Sequence, residues 1–239
     1  MRAIADLFRI ERESARWLRK RGPTVALFGL GWALPWLACI DLAGDIWEQE
    51  GFAPDQKLLA WLQAHRRPAL DEAAVLLSRL GGTAGMGSFS LGLIGGLLLA
   101  RRRWQAGLVG AGLGGAWLLQ LAGKALLHRR RPEEWRPLVA EPAIPATVYS
   151  FPSGHAMAAA ALAATGVLLL WPSRWRWPAL GLGTGWAGTV GVARVYLGAH
   201  YPSDVLAGWL GSVGWVVGLY LLYFHPRRKV ARPARFALR

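Results

Sequence analysis

The chain has 239 residues, 54% of them hydrophobic, with 14 tryptophans and a formal net charge of +14. That apolar fraction is high for a soluble domain, and the basic residues do not interleave with a polar, groove-reading surface, so no nucleic-acid partner is expected. The single cysteine, Cys39, rules out an intramolecular disulfide.

In chain order, the stretches without charged residues or histidine are Thr24–Ile40, Thr83–Ala100, Trp104–Gly123, Ala156–Ser173, Trp177–Ala193 and Val205–Phe224. Each approaches the roughly 20 apolar residues that carry a helix across a bilayer core. In hydrocarbon the backbone must satisfy its own hydrogen bonds, so such spans should be helical. The expectation is an all-α fold, an integral membrane bundle of six transmembrane helices over residues 24–224. Basic cytoplasmic segments flank it at 1–23 and 225–239. With the N-terminus inside, residues 1–23, Arg101–Arg103, 174–176 and the tail from His225 hold 18 Lys/Arg against 3 Asp/Glu, and the outer pieces 10 against 11. The positive-inside rule therefore puts both termini in the cytoplasm. Orientation and contact with anionic headgroups are a sufficient role for the tails, and Trp104, Trp171, Trp175 and Trp177 fit an interfacial belt. Cys39 follows Leu37-Ala38, as in a lipoprotein cleavage site, but Trp36 and the long charged N-terminal stretch point to an uncleaved anchor helix.

Between the first two spans, the outer segment 45–82 carries apolar residues at helical spacing, among them Leu70, Ala73, Ala74, Leu77 and Leu80. Pro68 should divide it into two short amphipathic helices lying on the membrane surface. The third span is glycine-rich (Gly110, Gly112, Gly114, Gly115), which favours close helix packing.

Charges inside or at the mouths of spans are costly and usually functional. Here they converge at the outer face. The third span leads into "GKALLHRRRP" with Lys124 and Arg131, and the fourth opens at "FPSGH". The fifth ends with Arg194, and the sixth begins near His200 and Asp204. Ser153 is a good N-cap, Gly154 allows close approach of a ligand, and the free N–H groups of such a helix start suit an anion. Asp204 can hold one nitrogen of His200 and leave the other as an oriented nucleophile or base. Lys124 and Arg131 should project from one helix face, roughly 10 Å apart along the axis, and Arg194 adds a third cation with a fork that matches phosphate oxygens. Together these groups describe a phosphate site in which His200 attacks phosphorus and His155 protonates the leaving oxygen. A zinc site from His155, His200 and Asp204 is conceivable by ligand type, but the three cations would repel the metal. His65, His128 and His225 are read as caps or surface residues.

The residues resemble the type-2 phosphatidic acid phosphatase superfamily, the lipid phosphate phosphatases related to vanadium haloperoxidases. The family's first motif matches Lys124 and Arg131-Pro132. Its second matches Pro152-Ser153-Gly154-His155. Its third matches Arg194, His200 and Asp204, with Ala193 where the motif has serine. The resemblance implies a transiently phosphorylated His200 oriented by Asp204, His155 as general acid, phosphate held by Lys124, Arg131, Ser153, Gly154 and Arg194, and no metal or other cofactor. It implies a lipid phosphate substrate among membrane lipids (phosphatidic acid, phosphatidylglycerol phosphate or undecaprenyl diphosphate), acted on at the outer face of a bacterial inner membrane. Arg129 and Arg130 are expected to contact the second phosphate of a diphosphate. A lipid phosphotransferase would share the phosphoenzyme; a non-catalytic carrier would leave the histidines unexplained, and the haloperoxidases are soluble and larger. Nothing in the sequence sets the oligomeric state.

Overall fold

The computed structural model describes residues 21–48, 52, 54–132 and 149–224. The basic segments 1–20 and 225–239, with His225, lie outside the described residues. Helix α1 is Arg21–Trp47, with a π turn at Gly29–Ala33. It is followed by α2 (Pro54–Ala64), α3 (Pro68–Gly81), α4 (Thr83–Leu99), α5 (Arg103–Leu127), α6 (Gly154–Leu170), α7 (Arg176–Tyr196) and α8 (Pro202–Leu219), which runs on into a π turn at Tyr220–Phe224. Among the described residues there is no strand, only an isolated bridge between Arg130 and Tyr149.

Among the described residues, three helices are long and apolar enough to cross a membrane: α1, α5 and the continuous helix Pro202–Tyr223. Helices α3 and α4, bent by 45° at their junction, make a fourth candidate if taken as one span, and α6 is a shorter apolar helix. Each of the six uncharged stretches falls mainly in one helix. Helices α5, α7 and α8 surround α6. The reason is size: Ala156, Ala159, Ala160 and Ala161 of α6 are buried, and small side chains let helix axes approach. Glycine does the same on the neighbours. A Cβ at Gly191 of α7 would lie 2.3 Å from Trp209 of α8, and one at Gly115 of α5 would lie 2.1 Å from Trp215.

The outer segment departs from expectation. Pro68 does start a new helix, but the pair α2–α3 is not a surface layer. It packs against α6, α7 and α8. Leu59 of α2 is fully buried, and the inward face of α3 is Ala74, Ser78 and Gly81 rather than the leucine stripe. Leu70 and Leu80 stay exposed. Two periodic faces compete on this helix. Where the surroundings are hydrocarbon, large apolar side chains lose nothing by facing out, and small or polar ones gain by facing protein. Tyr196 clasps the pair to α7, donating its hydroxyl to Asp71 Oδ1 at 2.8 Å and accepting the Arg67 amide at 3.0 Å.

Candidate active site

Helix α5 ends at Leu127 because His128 takes a left-handed conformation, φ 46°. Lys124 therefore stays in the last turn, while Arg131 is carried on the strand-like chain beyond it. The shared helix face expected for the two does not form, because Arg131 lies beyond the end of the helix. Lys124 is buried and donates to the Tyr149 carbonyl at 2.7 Å. Arg131 donates to the Ala199 carbonyl at 2.9 Å, in the turn where Gly198 adopts φ 69° and the Ala199 amide returns to the Arg194 carbonyl. Arg194 is 1% exposed and donates Nη1 to Ser78 Oγ at 2.6 Å. The hydroxyl absent at Ala193 is thus met, for this arginine, by one from α3.

His200 sits in the α7–α8 turn and is buried. Burial, then the charges of Arg131, Arg194 and Lys124, with His155 beside them, push its imidazole well below the ordinary value of 6.5. The resting ring is neutral, as a nucleophile requires. Burial also draws Arg131 below its ordinary value, partly opposed by Asp204, yet no arginine loses its proton near neutrality. Asp204, at the third position of α8, faces His200 with Oδ2 3.5 Å from Nδ1. That separation is long for a hydrogen bond. The carboxylate is meanwhile tied down: Oδ2 accepts the Tyr201 amide at 2.9 Å and the Ser150 hydroxyl, and Oδ1 accepts Arg129 Nη1 at 2.7 Å.

Arg129 does not fit the second-phosphate role. Its fork is engaged by Asp204, by Ser203 Oγ at 2.7 Å and by Asp55 Oδ2 at 2.7 Å, and it lies over the Tyr201 ring at 4.1 Å. Burial opposes its charge, but Asp204 and Asp55 outweigh that and hold it above its ordinary value. Arg130 is exposed.

Helix α6 starts where expected, with Ser153 as N-cap and Gly154 as its first residue. Ser153 makes no capping bond, however. Its hydroxyl is fully buried and has no hydrogen-bond partner. Buried hydroxyls are normally satisfied, so this one is consistent with a ligand oxygen in that place. A Cβ at Gly154 would stand 2.3 Å from the Gln120 side-chain amide of α5, so a larger residue there would have to displace that amide. His155 donates to the Ser78 backbone carbonyl and faces Arg131 and Lys124; the α3–α4 bend lies against its ring, since a Cβ at Gly82 would stand 3.1 Å from Nε2. His65 and His128 are exposed, and His65, just past the end of α2, is hydrogen-bonded to Trp61 O in that helix.

Sequence reasoning missed Asp55, Ser78, Ser150 and Ser203. Asp55 alone left a signal, a carboxylate in the first turn of α2.

A helical membrane protein with buried lysine, arginine and histidine gathered at one end of its bundle is the class these features define. The chain belongs to the PAP2 superfamily, whose family model matches residues 88–229. That range holds every candidate site residue and leaves α2 and α3 outside. Phosphatidylglycerophosphatase B of Bacillus subtilis is 33% identical over 153 residues, 60% of this chain and 70% of that protein. Undecaprenyl-diphosphatase of Sulfolobus acidocaldarius is 48% identical over 64 residues, and the match spans 27% of this chain and 29% of that protein. The crystal structure of a transmembrane PAP2-type phosphatidylglycerolphosphate phosphatase from Bacillus subtilis superimposes with a TM-score of 0.68 at 26% identity, covering 84% of this chain and 97% of that one.

Proposed function

We propose that the chain is a metal-independent phosphatase of membrane lipid phosphates or diphosphates that works through a phosphohistidine on His200. The observation that carries this reading is the gathering of a buried, neutral His200 with Lys124, Arg131, Arg194 and His155, beside an orphaned Ser153 hydroxyl. The three cations take the equatorial phosphate oxygens, with Ser153 and the Gly154 N–H at the start of α6. His200 Nε2 attacks phosphorus, the bond to the leaving oxygen breaks, and His155 delivers a proton to that oxygen. The imidazole, now phosphorylated, is cationic with its Nδ1–H directed at Asp204. Water, deprotonated by His155, then releases phosphate.

The relatives' names support phosphatidylglycerol phosphate or an isoprenoid diphosphate as substrate, with phosphatidic acid in the same chemical class. Six spans, cytoplasmic termini and a site at the outer face of a bacterial inner membrane complete the reading, supported by the charge asymmetry of the sequence. The test is phosphate release from phosphatidic acid, phosphatidylglycerol phosphate and undecaprenyl diphosphate in detergent with excess chelator, comparing wild type with His200→Ala. Chelator-resistant release that disappears in the variant is expected. Loss of wild-type release on adding chelator would overturn the mechanism.

A further inference from the structure

Asp55 stands outside the residues matched to the family and outside the motif set, yet it is a carboxylate only 2% exposed. A buried anion is costly unless paired and hydrogen-bonded. Asp55 is both. Its Oδ1 accepts the Ser203 amide at 2.8 Å, and its Oδ2 accepts the Ser203 hydroxyl at 2.5 Å and Arg129 Nη2 at 2.7 Å. It therefore grips the first turn of α8 from α2 and, through Arg129, the carboxylate of Asp204. Each Asp204 oxygen is pinned, Oδ1 by Arg129 and Oδ2 by Tyr201 N and Ser150, which fixes the oxygen facing His200 Nδ1. The ionised cluster of Asp55, Arg129 and Asp204 holds two carboxylates and one guanidinium, one negative charge in excess.

We infer that Asp55 is a positioning residue for phosphoryl transfer: acting through Arg129, it aims Asp204 at His200 and keeps the cluster anionic while that imidazole becomes cationic. This rests on the phosphohistidine reading above. In the transfer step the Nε2–phosphorus bond forms, the bond from phosphorus to the leaving oxygen breaks with the His155 proton, and His200 gains a positive charge. Neutralising Asp55 leaves Arg129 paired to Asp204 alone. The cluster then carries no net charge when the cation forms, so the loss falls on the transition state rather than on substrate binding.

The experiment compares full-length Asp55→Asn, Arg129→Lys and the double variant with wild type in detergent. It uses whichever lipid of the panel wild type hydrolyses, with inorganic phosphate as competitive inhibitor and tryptophan fluorescence to certify folding. Hydrogen bonds to charged groups set the expected size, a fall in kcat of about 10- to 100-fold for Asp55→Asn. The inhibition constant for phosphate stays unchanged, because Lys124, Arg131 and Arg194 do not touch Asp55. The double variant is no slower than the worse single, since both act on one carboxylate. A folded Asp55→Asn with wild-type kcat overturns the inference, as does phosphate affinity lost in step with kcat or a double variant whose losses multiply. Should Asp55→Asn fail to fold, Arg129→Lys decides on the same readouts. A wild type that hydrolyses no panel lipid sinks the phosphatase reading instead, which is a distinguishable result.

Discussion

Replacing Ser78 with alanine removes a hydroxyl that accepts Nη1 of Arg194 at 2.6 Å, where both partners are almost fully excluded from solvent. The backbone carbonyl that holds His155 survives the substitution, so the perturbation is confined to one end of one cation. A hydrogen bond to a charged group contributes about 1.5–3 kcal/mol, which corresponds to roughly 10- to 150-fold in a rate or affinity. Arg194 is assigned to the phosphate, so the loss should appear in binding as well as turnover: kcat/KM falls, and the inhibition constant for inorganic phosphate rises by a comparable factor. Asp55→Asn is expected to spare that constant, which makes the two variants a matched pair. The assay is phosphate release in detergent with phosphate as inhibitor, on protein whose tryptophan fluorescence matches wild type. An unchanged inhibition constant and unchanged kcat/KM would show that Ser78 does not place Arg194, and would refute the assignment of α3 to the site.

Four further outcomes follow from the contacts described. His200 is held below 6.5 by burial and by Arg131, Arg194 and Lys124, so it stays neutral well into the acid range; the acid limb of kcat/KM attributable to the nucleophile should lie below pH 6.5. For stability the sign is the same: the unfolded chain binds this proton first, so the contribution is complete above the unfolded value and is lost as pH falls through the folded one. Melting temperature against pH should accordingly fall less steeply on the acid side for His200→Gln. Arg129→Ala strands two buried carboxylates, Asp55 and Asp204, and should cost about 3–5 kcal/mol in thermal or denaturant unfolding; a cost near zero would mean water reaches the cluster. Gly191→Ala places a Cβ 2.3 Å from Trp209 and 2.6 Å from Val205, overpacking that should destabilise by about 1–3 kcal/mol, read as a lower melting temperature.

How much of this was legible differs between the two halves of the site. Ser153, Gly154, His155, His200 and Asp204 sit at helix starts, where proline, glycine and serine mark the chain locally, and a local mark is readable without the fold. Arg131 was readable as a cation but not as a loop residue, because His128 gives no sequence sign of the left-handed turn that ends α5. Ser78 left no mark at all, and Asp55 only that of a carboxylate in a helix's first turn. On α3 the expected stripe of Leu70, Ala73, Ala74, Leu77 and Leu80 fits a helical period as well as Ala74, Ser78 and Gly81 do, and hydrophobicity favours the first set although only Ala74 is common to both. Amphipathicity names the buried face only when the outside is water. At the edge of a bilayer bundle Leu70 and Leu80 satisfy themselves outward, and the inward face is the one with the serine.

The same ambiguity explains why the motif set omits the residues that hold Asp204. Lys124, Arg131, Arg194 and the two histidines are the groups proposed to touch a phosphate, but a carboxylate 3.5 Å from its imidazole orients nothing unless it is itself immobile. Immobility comes from Arg129, Ser150, the Tyr201 amide and, one step removed, Asp55. Two of these, Arg129 and Ser150, are joined by the Ser150 amide to Arg129 carbonyl bond at 2.7 Å, so the chain entering α6 and the chain leaving α5 are locked where they cross. The α2 helix closes the same cluster through Asp55, which binds Ser203 and Arg129. On the proposed mechanism, transfer at His200 depends on a segment that carries none of the reacting groups, and a chain lacking residues 54–64 should lose the fixed carboxylate and with it the phosphate release of wild type.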